Sequence, residues 1–196
     1  MFSIDESSFE DFTTRLATAD DASAIWSLLQ VAARPDASEE ERARKGFVQG
    51  QMGQDGAAAW AGAEAADRGA VVVEDSSTGS IVGALFFTGV PPVKEGLPPM
   101  VLGIATVVAE KLNPATTLAY GPLAVSDDFA GRGLASLLIH RVAEIAARLG
   151  RTHLAAGVED ANRASLGLHQ HLGAEVFGNF KRQERGYHVV GFALVD

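Results

Sequence analysis

Two closely spaced glycines, Gly131 and Gly133, interrupt the stretch YGPLAVSDDFAGRGLASLLIH, which runs from Tyr120 to His140. A strand-like apolar run precedes them and a helix-periodic run follows. A glycine turn at that junction leaves main-chain N–H groups unpaired and aimed at one point, and the helix dipole adds partial positive charge there. Such a point binds anions. Gly131 and Gly133 let a phosphate approach where a side chain would block it, and Ala135 keeps the first helical turn slim. A tight connection built from small residues is the plainer reading of the same positions. A dinucleotide fold fits poorly, because Ser136 stands where a third glycine would be and no strand-ending acid follows about 20 residues on.

A second pair of chemical groups lies downstream. His169 follows Asn162 by two helical turns, so the two side chains share nearly one face of a helix. Imidazole changes charge near neutral pH, which suits proton transfer, the other reading being a helix histidine packed on the sheet or facing solvent, and Asn162 is also a natural helix N-cap. His171 points elsewhere, so a metal pair with His169 is not expected. Glu159 and Asp160 follow a predicted strand and are candidate proton acceptors, with solvated loop carboxylates the plainer reading. Lys181, Arg182 and Arg185 are charges of a terminal hairpin, more in keeping with solubility than with phosphate binding.

The elements that must carry these residues are legible from periodicity. Thr13–Thr18 reads as a strand, Asp20 as the cap of a helix with Ile25, Leu28, Leu29 and Ala32 on one face, and Pro35 as its end. Ser38 ahead of Glu39, Glu40 and Glu41 opens a second helix over 38–54. The Ala-rich piece 57–69 receives no assignment. AVVVEDSSTGSIVGALFF reads as a hairpin. Residues 89–115 hold five prolines and the apolar run VLGIATVVA and look like an insertion, stiff enough to pack over a cleft or against a second subunit. Leu118–Val125 is a strand. Leu134, Leu137, Leu138, Val142, Ile145 and Leu149 line one face of a helix ending at Gly150. His153–Val158 is a strand, Asn162–Leu172 a helix stopped by Gly173, and strands follow near 174–181 and 187–195. The order is βααβββαβαββ, a mixed α/β sheet with helices on both faces in one domain.

Composition sets outer bounds. The 196 residues are 47% hydrophobic with 21 glycines, enough for one sizeable core. No apolar run approaches the ~20 residues that span a bilayer, and the first residues are acidic, so a cytoplasmic protein without a membrane partner is expected. With no cysteine, a thiol nucleophile and thiolate metal sites are excluded. A net charge of −9 argues against nucleic acid, whose phosphates need clustered Lys and Arg.

GPLAVSDDFAGRGLASLLI resembles the acyl-CoA pyrophosphate loop of the GNAT superfamily of N-acetyltransferases, usually Gln/Arg-x-x-Gly-x-Gly/Ala. The positions here are Ala130, Gly131, Arg132, Gly133, Leu134 and Ala135. The resemblance continues in TRLATADDASAIWSLL, TGSIVGALFF and NRASLGLHQHLGAEVFG, and covers most of residues 13–193 apart from 89–115, with 1–12 as an N-terminal extension. Ala130 departs from the family pattern, which removes one side-chain contact to the pyrophosphate; Arg132 and Arg163 are the cations placed to replace it. His169 stands where the family most often has Tyr, and the Ser165–Gly173 pattern is nearest the branch resembling phosphinothricin-type acetyltransferases.

The resemblance implies acetyl transfer from acetyl-CoA to a primary amine by direct attack in a ternary complex, with no metal. It implies that main-chain N–H groups of Leu123, Ala124 and Val125 hold the acyl carbonyl and pantetheine, Leu123 serving as oxyanion donor. Asn162 and Ser165 would bind cofactor, and His169 would protonate or hydrogen-bond the departing thiolate. The other class of function that the sequence supports is a non-catalytic acyl-CoA-binding or sensing module with the same fold. A homodimer is one of the two readings of 89–115.

Overall fold

The computed structural model describes residues 4–49, 53–63 and 65–194. Thirteen helices and strands follow in order among them: β1 (Phe12–Leu16), α1 (Ala22–Ala33), α2 (Glu39–Lys45), α3 (Gly53–Ala61), β2 (Arg68–Asp75), β3 (Ile81–Gly89), α4 (Pro99–Lys111), β4 (Thr117–Val125), α5 (Leu134–Arg148), β5 (His153–Glu159), α6 (Arg163–His171), β6 (Glu175–Arg182) and β7 (Arg185–Ala193). The strands form one seven-stranded sheet in the order β1-β2-β3-β4-β5-β7-β6, antiparallel throughout except for the parallel pair β4–β5. The expected mixed sheet with helices on both faces is present.

Alternation along the strands assigns each residue to a face. On β3, Leu85 and Phe87 join α5 and the Leu168 side of α6, while Ala84 and Phe86 join α1 and α3. Leu134, Leu137, Leu138 and Val142 of α5 are essentially inaccessible, each contributing about 1.5–3 kcal/mol of apolar burial. A third cluster lies on the same face as α1 and α3 but over the other half of the sheet, where α4 covers Ala155 of β5 and Val189 of β7.

Helix α4 is the main departure from the sequence expectation. Its prolines do not merely stiffen a loop. Pro98 occupies the N-cap position and Pro99 the first helical position, where a missing N–H costs nothing. Small residues then seat the helix. Gly103 lies directly on the Phe180 ring, while Gly157 of β5 and Gly178 of β6 admit Ile104 and Val107; a Cβ there would stand 3.1 Å from Ile104 and 2.8 Å from Val107.

Other ends shift as local chemistry dictates. α2 stops at Lys45 rather than running on to 54, because Gly46 takes φ 78°, and Ser38 accepts the Glu41 N–H at 3.2 Å as its cap. Residues 50–52 of that expected helix lie outside the described residues. The Ala-rich piece begins within α3, which runs Gly53–Ala61. Asp20 is not the cap of α1. Asp21 instead accepts the Thr18 N–H at 2.7 Å and a two-pronged bond from Arg15, which also reaches Glu74 at 2.6 Å, and Arg15 holds the Asp21 carboxyl down to about 2. Among the described residues no helix is long and apolar enough to cross a membrane.

Gly103→Val should push α4 off the sheet, because the new methyls meet the Phe180 ring, itself stacked on Tyr187 at 5.0 Å. We expect a loss of about 1–3 kcal/mol in urea unfolding. An unchanged midpoint would mean that α4 is not held by this contact.

Candidate active site

Strands β4 and β5 pair only through Thr117–Ala119 and His153–Ala155, then separate. On the other side, β4 keeps its partnership with β3 through a bulge: Leu85 faces Leu123 and Phe87 faces Tyr120, so Gly121 and Pro122 stand opposite Phe86. Gly121 has φ 116°, a conformation that only glycine adopts easily. The Ser126 N–H bonds Val82 O at 2.8 Å, which fixes the phase of what precedes it. By strand alternation Ala124 directs its N–H to β3, whereas Leu123 and Val125 turn theirs to the gap beside β5.

The gap continues into the glycine loop. Asp127–Phe129 makes one 3-10 turn, Ala130 is extended, and Gly131 and Gly133 have φ 76° and 77° before α5 begins. A Cβ on Gly131 would meet nothing within 4 Å; on Gly133 it would stand 3.2 Å from the Phe9 ring. Because Gly133 is the N-cap and has no side chain, the first N–H groups of α5 at Leu134, Ala135 and Ser136 have no side-chain cap.

The expected cations are elsewhere. Arg132 lies 4.6 Å over the Phe12 ring and 3.3 Å from Asp11, directed away from the cleft, and the exposed Arg163 is not part of its lining. The charges near the loop come from an element the sequence reading left without chemistry. Arg34 at the end of α1 donates to both Asp127 carboxylate oxygens, at 2.9 and 2.5 Å, and Lys45 lies 3.9 Å from the same group. Arg34 thereby holds the Asp127 carboxyl below its usual range.

On α6, Asn162 caps the helix by accepting the Ser165 N–H at 3.2 Å and donates its amide to Phe47 O at 2.8 Å. His169 is 5% exposed and its ring lies between Tyr120 and Phe192, with centroids 5.8 and 6.3 Å away. The carbonyl of Ser165, 2.7 Å from Nδ1, assigns the proton to that nitrogen. Nε2 is then an acceptor, buried without a partner among the described residues, and burial pushes the imidazole pKa down. Tyr120 Oη is also buried without a partner there, and burial pushes the phenol up, so it remains a donor. Two complementary unpaired atoms thus share one wall. Tyr120 was missed in the sequence, where nothing distinguishes it from a core aromatic.

Glu159, at the end of β5, is 9% exposed. Arg185 stands 3.3 Å from it and Tyr187 Oη 3.4 Å, while the same hydroxyl donates to Gln49 at 2.6 Å. Burial first, then the Glu159 charge, raises the Tyr187 pKa. Asp160 instead meets His188 at 3.2 Å, and Lys181 and Arg182 do not line the cleft. A single cleft of about 790 Å³ joins the glycine loop, the β4–β5 gap, His169, Ser165, Asn162, Glu159 and the Met100–Ala105 side of α4. Among the described residues no three His, Asp or Glu side chains gather as a metal site.

A family model described as the acetyltransferase (GNAT) family matches residues 36–174. The chain belongs to the GNAT family. Solved structures share the fold of this GNAT chain at low identity. The yncA protein of Salmonella typhimurium, described as a candidate acetyltransferase and solved with acetyl-CoA as its cofactor, is 21% identical, with TM-score 0.67 and coverage of 95% of this chain and 96% of that one. An N-acetyltransferase from Staphylococcus aureus Mu50 is 20% identical, with TM-score 0.66 and coverage of 95% and 100%. A candidate phosphinothricin N-acetyltransferase, 18% identical over 94% of this chain and 99% of that one with TM-score 0.62, is one such neighbour among several. No curated protein sequence matches this GNAT chain.

The buried imidazole makes stability depend on pH. Above its usual pKa near 6.5 His169 is neutral folded or unfolded; as pH falls below that, the unfolded chain takes up a proton that the folded one resists. Stability is therefore present above 6.5 and lost toward the lower folded pKa, by about 1.4 kcal/mol per unit of depression. Between about pH 7.5 and about pH 5.5 the wild type should lose more urea stability than His169→Phe, which cannot take up a proton. Parallel losses would remove His169 as the cause.

Proposed function

We propose that this protein transfers an acetyl group from acetyl-CoA to a primary amine by direct attack in a ternary complex. The observation that carries the reading is the union, in one cleft, of the uncapped start of α5 with the opening between β4 and β5. The residues present suit the group. N–H groups of residues 131–136 would hold the pyrophosphate, Gly131 leaving the space a Cβ would fill. Arg34 and Lys45 stand beside it, paired with Asp127 and Glu41. The N–H groups of Leu123 and Val125 would hold the pantetheine and the acyl oxygen, and Asn162 and Ser165 line the same path.

The acetyl thioester supplies the electrophilic carbonyl. An alkyl ammonium, pKa near ~10.4, must first give up a proton, and Glu159 is the carboxylate in the cleft that can take it and pass it to solvent. The free amine forms the C–N bond as the C–S bond breaks. Nitrogen then sheds a second proton, and sulfur needs one. His169, neutral at rest with Nε2 open, is suited to collect that proton and hand it to sulfur, while the Tyr120 hydroxyl donates a hydrogen bond to the leaving thiolate. This differs from a resting imidazolium acid, which burial disfavours.

Gly131→Asp and Gly131→Asn test the loop together. Both side chains tolerate positive φ, and only one brings a negative charge into open space. Calorimetry should show acetyl-CoA affinity reduced roughly a hundredfold in the Asp protein relative to the Asn protein. Equal affinities would remove the anion site.

His169→Phe should lower kcat by about 10²–10³ with acetyl-CoA affinity little changed. A wild-type rate would leave His169 as a packing residue, and acetyl-CoA binding without thiol release for any amine would make the protein a sensor.

A further inference from the structure

The nature of the acceptor follows from the half of the cleft that the glycine loop does not occupy; this inference rests on the transfer reading above. α5 and its loop lie on one face of the sheet, and α4 lies on the other. An amine reaching the β4–β5 gap from the α4 side passes between Phe47 and Val48, just beyond α2, and Met100, Val101 and Ile104 of α4. Those walls are apolar. The charged group lining this half is Glu159, placed next to the Tyr187 phenol and paired from outside the lining with the exposed Arg185.

The other charged groups of the lining are already engaged. Arg34 is committed to Asp127 and to the Gly46 carbonyl at 2.8 Å, and Lys45 to Glu41 at 2.9 Å. A carboxylate on the acceptor would therefore meet no uncommitted Lys or Arg among the described lining residues, Arg185 lying outside the lining and paired with Glu159. Gln49 offers a buried amide NH2, without a partner among the described residues, which as a neutral donor is too little to compensate an anion. A second ammonium would fare no better, since the Asp127 carboxylate is held by Arg34.

We propose that the acceptor is a small primary amine whose sole charge is the ammonium group and whose body is alkyl or aryl, such as an arylalkylamine. It is not an amino acid, a polyamine or an aminoglycoside. Glu159 takes one ammonium proton; the nitrogen then forms a bond to the acetyl carbon and the carbon–sulfur bond breaks. The remaining surplus proton on nitrogen goes to sulfur, so the products are the N-acetylamine, the free thiol and one proton released through Glu159.

Thiol release at fixed acetyl-CoA, measured with 2-phenylethylamine, phenylalanine, putrescine and kanamycin, tests the assignment. The kcat/KM for 2-phenylethylamine should exceed that for each of the others by about tenfold or more, since each of the others lacks the aryl body or brings a further charge that nothing in the lining compensates. Val101→Arg, which places a free cation on the exposed side of α4's cleft wall, should raise kcat/KM for phenylalanine about tenfold and lower it for 2-phenylethylamine. Calorimetry on the protein with bound CoA should show 2-phenylethylamine binding that Val101→Arg weakens and phenylalanine binding that it strengthens. A wild-type preference for phenylalanine, putrescine or kanamycin, or equal rates for all four, overturns this inference and leaves the transfer reading standing. Acetyl-CoA binding with no thiol release for any of them overturns both.

Discussion

Three residue pairs hold β4 against β5, and past Ala119 nothing continues that ladder. The interruption cannot heal by a slip of register, because Pro122 has no N–H to offer and the Gly121–Pro122 bulge turns the strand while its bonds to β3 resume beyond it. β4 is thus firmly held on one edge and open on the other. Main-chain groups at Leu123 and Val125 are left needing partners from water or a ligand, a requirement that buried backbone cannot avoid. The glycine loop, α5 and α6 are arranged around that requirement: the loop and the start of α5 supply further unpaired N–H groups, and α6 sets His169 against Tyr120 of β4.

The two ends of the cleft differ in sign. At the loop, the start of α5 and the Arg34–Lys45 pair make a positive region that Asp127 moderates by engaging both cations. At the other end the acidic group is the buried Glu159, set within apolar walls and paired with Arg185 at the surface. The polarity is fixed by position in the fold, since the loop follows β4 and Glu159 closes β5, the two strands whose separation makes the opening.

Much of this was legible before the structure. The one-sided periodicity of α5, the left-handed glycines at 150 and 173 and the Asn162 cap are local signals, each decided by residues within a turn or two, and they stand where the sequence places them. What was illegible depends on distant partners. Helix α4 carries five β-branched residues and a glycine, a poor helix on propensity alone, and is stabilised by the hollows it enters on β5 and β6. The Arg34–Asp127 contact spans 93 positions of sequence, and the unpaired hydroxyl of Tyr120 exists because of what surrounds it. The cations beside the glycine loop likewise come from the end of α1 and from α2.

The seating of α4 also constrains how this protein can diverge. Gly103 with Phe180, Gly157 with Ile104, and Gly178 with Val107 are three pairs in which one member is small because the other is large. A lineage that enlarges one glycine must shrink its partner, so the pairs should change together or stay fixed. The exposed positions of the helix carry no such bond and are free to drift. Inheritance would then preserve the joint between helix and sheet while the cleft-facing side chains vary, allowing the shape and chemistry of the cleft to change without rebuilding the strands that frame it.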